Sequence, residues 1–167
     1  VAADDHVGHG KTALENDTWG NWGTTGCQTM MEDEYLLKGI VQEKYPEIPY
    51  FMFGHSMGSI ITRQFLAKYG EELTGAIICG TVGPDALPCE EGVKLLKPLV
   101  DSGKGADADP ALLGSLMGGL FSRIEEGVKI GNEWICHDPY VQIDHATDPF
   151  DAFTKPTCNE ALLQFVE

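Results

Sequence analysis

The first half of the chain alternates long segments of helical periodicity with short apolar runs. Residues 28–45 place apolar side chains at every third or fourth position and are followed by Pro46, which predicts a helix that ends there. Residues 50–53 are all apolar and lie between a proline and a glycine. Such a run predicts a short central strand covered on both faces.

The same alternation continues to about residue 83. Residues 60–69 carry a helical apolar stripe and are followed by Gly70 in the usual C-cap position, and residues 75–80 form a second strand-like run. The order helix, strand, helix, strand predicts a mostly parallel sheet with crossover helices. We therefore interpret residues 1–83 as the core of an α/β fold.

The second half, residues 84–167, has no segment that resembles a buried strand. Residues 101–109 are polar and rich in small side chains, which predicts a flexible connection. Helices are predicted at residues 90–100, 110–130 and 159–167. We interpret this half as a helical cap inserted after the second strand.

One predicted cap helix carries a pronounced apolar stripe, which consists of Leu112, Leu113, Leu116, Met117, Leu120 and Phe121. The pattern favours the buried face of a helix, and in a cap it is also compatible with the lining of an acyl-chain pocket. Trp19 and Trp22 allow a similar pair of interpretations, as the mouth of a pocket or as aromatic side chains folded over a small core.

Both ends of the sequence read as interior segments. The chain opens at Val1 without an initiator methionine, and residues 161–167 resemble the middle of an amphipathic helix with no stop signal. We expect the fold to be incomplete at both ends.

Composition excludes several classes of partner. Eleven basic and 26 acidic residues give a net charge of −15, which disfavours nucleic acid and anionic membrane surfaces. No apolar run approaches the roughly 20 residues of a membrane span, so no integral membrane segment is expected. The five cysteines are widely spaced and odd in number, which favours free thiols in the cytoplasm. The oligomeric state stays open.

The candidate chemistry lies where the first strand meets its helix, in the sequence Gly54-His55-Ser56-Met57-Gly58. A serine at the tip of a tight strand-to-helix turn is held in a strained backbone conformation, and crowding two residues before and after it leaves room only for glycine. Ser56 is the predicted nucleophile, and the Met57 amide is a predicted oxyanion donor because it opens the helix. We expect the His55 side chain to pack or hydrogen-bond, not to act as a base.

Three stretches give the chain a family resemblance. Residues 5–10 resemble an Asp-x-x-Gly-His-Gly loop, residues 54–59 a nucleophile elbow, and residues 73–81 the strand after it. With these motifs the chain resembles the monoacylglycerol lipase, lysophospholipase and serine aminopeptidase S33 group of α/β hydrolases. Trp134, Asp138 and the pair at 148–149 add a weaker likeness to bacterial members.

The resemblance implies the α/β-hydrolase fold and a serine hydrolase that cleaves a carboxylic ester of the monoacylglycerol or lysophospholipid type through an acyl-enzyme on Ser56. It implies no metal and no organic cofactor. Three alternatives stay open: acyl transfer to another acceptor, aminopeptidase-like cleavage of an amide, and a binding module without catalysis.

The family pattern also indicates what this chain lacks. Its members take the triad acid and histidine from loops after later strands, and no such strands are predicted here. A local cluster after Ser56 consists of His137, Asp138, Asp144, His145 and Asp148. It is disfavoured as a triad because no strand precedes it to hold a base near Ser56, and as a metal site because lone histidines and aspartates in a polar loop are usually solvated or capping. His6 and His9 are expected to shape their loop. The chain alone is therefore expected to be inactive.

Overall fold

A computed structural model describes residues 1–83, 87–121, 124, 133–150 and 156–167, apart from the side chains of Met117, Leu120 and Phe121. Its helices and strands, in chain order, are α1 (Gly10–Asn16), α2 (Gly26–Lys44), β1 (Phe51–His55), α3 (Met57–Tyr69), β2 (Gly75–Cys79), α4 (Cys89–Leu99), α5 (Pro110–Phe121), α6 (Pro139–Thr147) and α7 (Asn159–Val166). None of the helices in these ranges is both long and apolar enough to cross a bilayer.

The two strands form a parallel pair joined by α3. Phe51 lies opposite Gly75 and His55 opposite Cys79, so both strands end at the same edge of the sheet. This arrangement confirms the predicted strand, crossover helix and strand. It also places the turn after β1 beside the end of β2, at the edge where parallel α/β folds bind their ligands.

The prediction that the first strand is covered on both faces is wrong for the described residues. Met52 and Gly54 are buried, whereas Phe51 and Phe53 keep 60% and 64% of their surface exposed. The reason is that α3 packs on the face of β1 that carries Gly54, while the side chains of Phe51 and Phe53 on the other face stay largely uncovered by the described residues.

Helices α2 and α3 pack together beside the sheet. Met30 and Phe65 are each 1% exposed at the centre of their contact. Two polar contacts lie at the edge of this helix contact: the Tyr69 hydroxyl donates to Glu32 at 2.7 Å, and Lys38 donates to Glu72 at 2.7 Å. These contacts hold α3, and with it the turn that precedes α3, against α2.

A second apolar cluster joins α4, α5 and α7. Its buried members are Leu96, Leu116, Leu162, Leu163 and Val166, and Leu112 and Leu113 pack against them. The described part of the α5 stripe therefore packs in a core, and Met117, Leu120 and Phe121 lie outside the described side chains. Helix α7 also reaches the first cluster through Ala161, so it connects the two.

Several local predictions differ from the structure. Helices α1 and α6 were not expected, since both are short; α6 begins where Pro139 follows a capping Asp138. Gly70 caps α3 with a right-handed φ of −59° because the chain continues into a 3-10 turn. The stretch at 101–109 begins in a π-helical turn, Val100–Lys104, that extends α4.

The longest predicted cap helix is only partly testable. The structure shows α5 as far as Phe121, and the remainder of the helix predicted to residue 130 lies outside the described residues.

Candidate active site

Ser56 occupies the sharp turn between β1 and α3. Its φ of 53° and ψ of −116° lie far from both strand and helix values, and the residue is exposed. A non-glycine residue at positive φ costs on the order of 1–3 kcal/mol and persists only where its surroundings impose it. Here the Ser56 N–H donates to the Cys79 carbonyl at 3.0 Å, and the Ser56 carbonyl accepts from the Ser59 N–H at 3.0 Å. The strained turn is thus tied to β2 on one side and to α3 on the other.

Met57 is the first residue of α3. The amides of the first helical turn have no acceptor within their own helix, and the helix dipole makes this end electropositive. An oxygen that gains negative charge next to Ser56 would therefore meet a free N–H and a favourable field. This geometry supports the oxyanion role predicted for Met57.

The two glycines of the motif are not equivalent. A Cβ built on Gly54 would overlap the Gly58 carbonyl and the Thr62 hydroxyl, whereas a Cβ on Gly58 would meet no atom within 4 Å. The expectation that crowding demands glycine is wrong at position 58 as far as the described residues go. The reason is that Gly58 contributes backbone to the close approach, while its own Cβ direction is open.

The His55 ring covers the end of the neighbouring strand. A Cβ on Gly80 would lie 3.0 Å from His55 Nε2, and Gly80 has a φ of +56°. Glycine at position 80 therefore provides both the backbone conformation and the room for the imidazole ring. This placement agrees with a packing role for His55.

Ser59 supports the turn and was missed as a functional residue in the sequence. Its side chain is fully buried, at 0% exposure, and its hydroxyl donates to the Ser56 carbonyl at 2.5 Å. A serine three residues after the predicted nucleophile was the available signal, since serine near a helix start commonly bonds a backbone oxygen three or four residues back.

The described residues do not provide Ser56 with a base. No hydrogen bond joins its hydroxyl to a histidine or carboxylate in the described ranges. Asp138 instead accepts from the Tyr140 N–H at 2.9 Å and caps α6, and Asp148 accepts from the Phe150 N–H at 2.8 Å. Two of the three aspartates in this cluster therefore accept a hydrogen bond from the backbone N–H two residues further along the chain.

The loop at residues 5–10 is built around His9. His9 Nδ1 hydrogen-bonds the Val7 carbonyl at 3.0 Å, and its ring lies 5.7 Å from the ring of buried Trp22. Burial lowers the pKa of His9, which favours the neutral imidazole. Asp5 accepts from the Lys11 N–H at 2.9 Å at the start of α1. These contacts shape the loop.

Trp19 and Trp22 have different environments. Trp22 is 7% exposed and belongs to the core cluster between α2 and α3, whereas Trp19 stacks on Phe150 at a ring separation of 6.4 Å. Of the two interpretations, core packing describes Trp22. The stacked pair joins the loop before α2 to the segment that follows α6.

One group in the described ranges has the composition of a cation site. Asp4, His6 and Glu34 place one ligand atom each within 4.8 Å of one another. Burial, and then the Asp4 charge, raises the pKa of Glu34 to about 7, so a proton on Glu34 already relieves the repulsion between the carboxyls. Asp4 is also exposed. We assign no ion to this group.

A small cavity opens beside Met57, between α2, α3 and α7. It has a volume of about 200 Å³, and it is lined by Cys27, Met30, Met57, Ile61, Gln164 and Phe165 among others. The volume is below the roughly 300 Å³ at which ligand pockets usually begin. The cavity lining is mixed, because Gln64, Gln164 and Glu167 also face it.

Comparison with protein families and curated proteins gives a consistent result. The profile of the family described as serine aminopeptidase, S33, matches residues 1–167. The monoglyceride lipase of Rattus norvegicus is 30% identical over 139 residues, which are 82% of this chain and 43% of that protein. The monoglyceride lipase of Mus musculus is 28% identical over 141 residues, 84% of this chain and again 43% of that protein.

Two solved structures are similar over nearly the whole chain. A highly thermostable carboxyl esterase from Bacillus coagulans, in complex with glycerol, is 48% identical with a TM-score of 0.89, over 99% of this chain and 54% of that one. A lipase in an open form is 29% identical with a TM-score of 0.81, over 98% of this chain and 53% of that one. The chain therefore spans about half the length of the proteins it matches.

Proposed function

Because the chain belongs to the serine aminopeptidase S33 family, we propose that it supplies the nucleophile of a serine hydrolase that cleaves small carboxylic esters. Its fold is the α/β-hydrolase fold, as the esterase and lipase structures confirm. The observation that carries the proposal is the positive φ of 53° at Ser56, on a turn between a parallel strand and a helix. Such strain is characteristic of a functional serine.

The proposed reaction has two steps. The Ser56 oxygen attacks the ester carbonyl carbon and loses its proton to a base, and the bond to the alcohol oxygen breaks as the base returns that proton to the leaving alcohol. Water then attacks the acyl-enzyme, releases the carboxylic acid and restores the Ser56 hydroxyl. In both steps the carbonyl oxygen gains negative charge, and the Met57 N–H is placed to stabilise it.

The base and its acidic partner are proposed to come from polypeptide beyond these 167 residues. Among the described residues no histidine hydrogen-bonds Ser56, and the curated relatives are matched over only 43% of their length. The 167-residue chain alone is accordingly proposed to be inactive. Ester turnover by this chain that disappears in Ser56→Ala would contradict that statement.

For the substrate we propose an acyl ester of glycerol or a similar small polar alcohol, such as a monoacylglycerol or lysophospholipid. Two monoglyceride lipases and an esterase bound to glycerol are among the relatives. The apolar side chains that line part of the cavity beside Met57 offer a small surface compatible with part of an acyl chain.

The decisive experiment is covalent labelling of the complete polypeptide that contains this chain. A fluorophosphonate probe should attach to Ser56, as mapped by peptide mass spectrometry, and Ser56→Ala should abolish both labelling and ester hydrolysis. Ser102→Ala is the control, because Ser102 is an exposed serine remote from β1 in sequence. Hydrolysis that survives Ser56→Ala would refute the nucleophile role, and a folded protein without labelling or hydrolysis would favour the binding module.

The family description favours one competing activity, which is aminopeptidase-like cleavage of an amide. Parallel assays with a monoacylglycerol, a p-nitrophenyl ester and an aminoacyl p-nitroanilide separate the two. The proposal expects the esters to be cleaved much faster, and a preference for the anilide would reverse it. Acyl transfer would appear as an acylated product when an added alcohol competes with water.

Two further assignments accompany the proposal. We propose that residues 1–83 form part of the hydrolase core and residues 84–167 a cap region; the apolar cluster of α4, α5 and α7 lies within the second range, and α7 also contacts the first cluster. We also propose a cytoplasmic location, since all five cysteines are free thiols. Fractionation that recovers the protein outside the cytoplasm would contradict the second assignment.

A further inference from the structure

A single peptide unit connects the carbonyl of Ser56 to the amide of Met57. Because a peptide unit is planar and trans, its C=O and N–H point in opposite directions and rotate together. Any contact that fixes the Ser56 carbonyl therefore also fixes the direction of the Met57 N–H. Hydrogen bonds to the Ser56 carbonyl oxygen therefore set the direction of the proposed oxyanion donor, the Met57 N–H.

Two donors from one residue hold that carbonyl. The Ser59 N–H reaches the Ser56 oxygen at 3.0 Å and the Ser59 hydroxyl reaches it at 2.5 Å, at the short end of the range for O–H···O hydrogen bonds. The Ser59 side chain is 0% exposed, so water does not compete for this bond. A buried hydroxyl without an acceptor would be costly, which gives the pair a preferred geometry.

We propose that Ser59 is a positioning residue that aims the Met57 N–H at the developing oxyanion. This inference rests on the proposed function of Ser56 and adds a residue that does not touch the substrate. The positive φ of Ser56 makes such a support necessary, because a strained turn relaxes unless its neighbours restrain it. Without the hydroxyl, one hydrogen bond from the Ser59 N–H would remain to hold the peptide plane.

The chain contains a matched hydroxyl elsewhere. Ser102 donates its hydroxyl to the Leu99 carbonyl, also three residues back, at 2.8 Å. That bond lies in an exposed turn after α4 and has no relation to the Ser56 peptide. Ser102→Ala therefore removes the same type of bond without changing the proposed oxyanion donor.

The experiment compares wild type, Ser59→Ala, Ser59→Cys and Ser102→Ala in the complete polypeptide. A fluorophosphonate is used as the probe, with the maximal rate of labelling and the probe's apparent affinity measured separately. For Ser59→Ala we expect a maximal rate about tenfold lower, because misdirected donors weaken transition-state stabilisation. We expect an apparent affinity within about twofold of wild type, since ground-state binding is unaffected. A short ester should show the same division between kcat and KM.

Ser59→Cys keeps the test valid if the alanine variant fails to fold. A thiol is a weaker donor of similar shape, so its rate should lie between those of wild type and Ser59→Ala. Ser102→Ala should match wild type. The inference is refuted if Ser59→Ala, or Ser59→Cys where only that variant folds, labels at the wild-type rate, or if it loses only probe affinity. A wild-type protein that does not label at all would instead refute the proposed function, and this inference with it.

Discussion

Gly54 lies so close to the backbone of Gly58 that a Cβ on Gly54 would overlap the Gly58 carbonyl oxygen. The strand that enters the turn and the helix that leaves it are therefore in van der Waals contact through bare backbone. This contact allows α3 to start directly after Ser56. The turn can be this tight because Gly54 has no side chain.

The first prediction compares alanine at the two glycines. Gly54→Ala should lower the free energy of unfolding by about 3 kcal/mol, because the methyl group would displace backbone atoms that cannot move independently. Gly58→Ala should change it by less than about 1 kcal/mol, since alanine favours helix and the site is open. Chemical denaturation of the complete polypeptide measures both. An equal loss of stability in the two variants would contradict the different environments assigned to Gly54 and Gly58.

The sequence was sufficient to predict the elements on either side of Ser56. The apolar run at 50–53 before it and the helical stripe of residues 60–69 after it depend on local spacing, and both correspond to observed elements within a few residues. The parallel pairing followed from the order of the elements. The Gly-x-Ser-x-Gly pattern placed Ser56 at the strained position because the strain itself is a local property.

What the sequence did not reveal depends on contacts between distant segments. The buried hydroxyl of Ser59 has no sequence signal stronger than that of any serine near a helix start. The different roles of Gly54 and Gly58 depend on which way each Cβ would point. The two exposed phenylalanines of β1 show that an apolar run does not specify how many of its faces the chain covers.

The second prediction concerns Glu34 and pH. Its pKa is raised from 4.5 to about 7, mainly by burial and then by the Asp4 and Asp33 charges. Between these two pH values the folded protein holds a proton that the unfolded chain has lost, so Glu34 makes stability fall as the pH rises from 4.5 to about 7. Glu34→Gln keeps the side chain neutral. It should therefore raise the melting temperature at pH 8 and have a much smaller effect near pH 4.5.

Thermal unfolding at the two pH values checks this, with Glu43→Gln as the control, because Glu43 is an exposed carboxylate of the same helix that does not contribute to the raised pKa of Glu34. The control also removes one negative charge, so it measures the general benefit of lower acidity in a chain of net charge −15. A rise in melting temperature of equal size in both variants, or a rise that does not depend on pH, would contradict the role assigned to Glu34.

The third prediction concerns a buried lysine. The Lys38 side chain is 6% exposed, and its ammonium group donates to the Glu72 carboxylate at 2.7 Å. Glu72→Ala should lower the melting temperature by several degrees, because it leaves a buried cation without its partner. Glu71→Ala is the matched control, since Glu71 is exposed and adjacent. The double variant Lys38→Met with Glu72→Ala should recover most of the lost melting temperature. If the effects of the two single changes simply add in the double variant, the proposed coupling between Lys38 and Glu72 is wrong.

The fourth prediction tests whether the apolar cluster of α4, α5 and α7 is energetically separate from the turn that carries Ser56. Leu96 is 1% exposed among the side chains of α5 and α7, whereas its neighbour Leu95 is 53% exposed. Leu96→Ala should cost about 3 kcal/mol through lost burial and a residual cavity, and Leu95→Ala much less. Since Leu96 is absent from the cluster that contains Met52 and Phe65, fluorophosphonate labelling of Ser56 should keep its rate in conditions where Leu96→Ala is folded. A labelling rate that falls with Leu96→Ala but not with Leu95→Ala would instead show that α4 transmits its packing to the turn, through α7, which contacts both clusters.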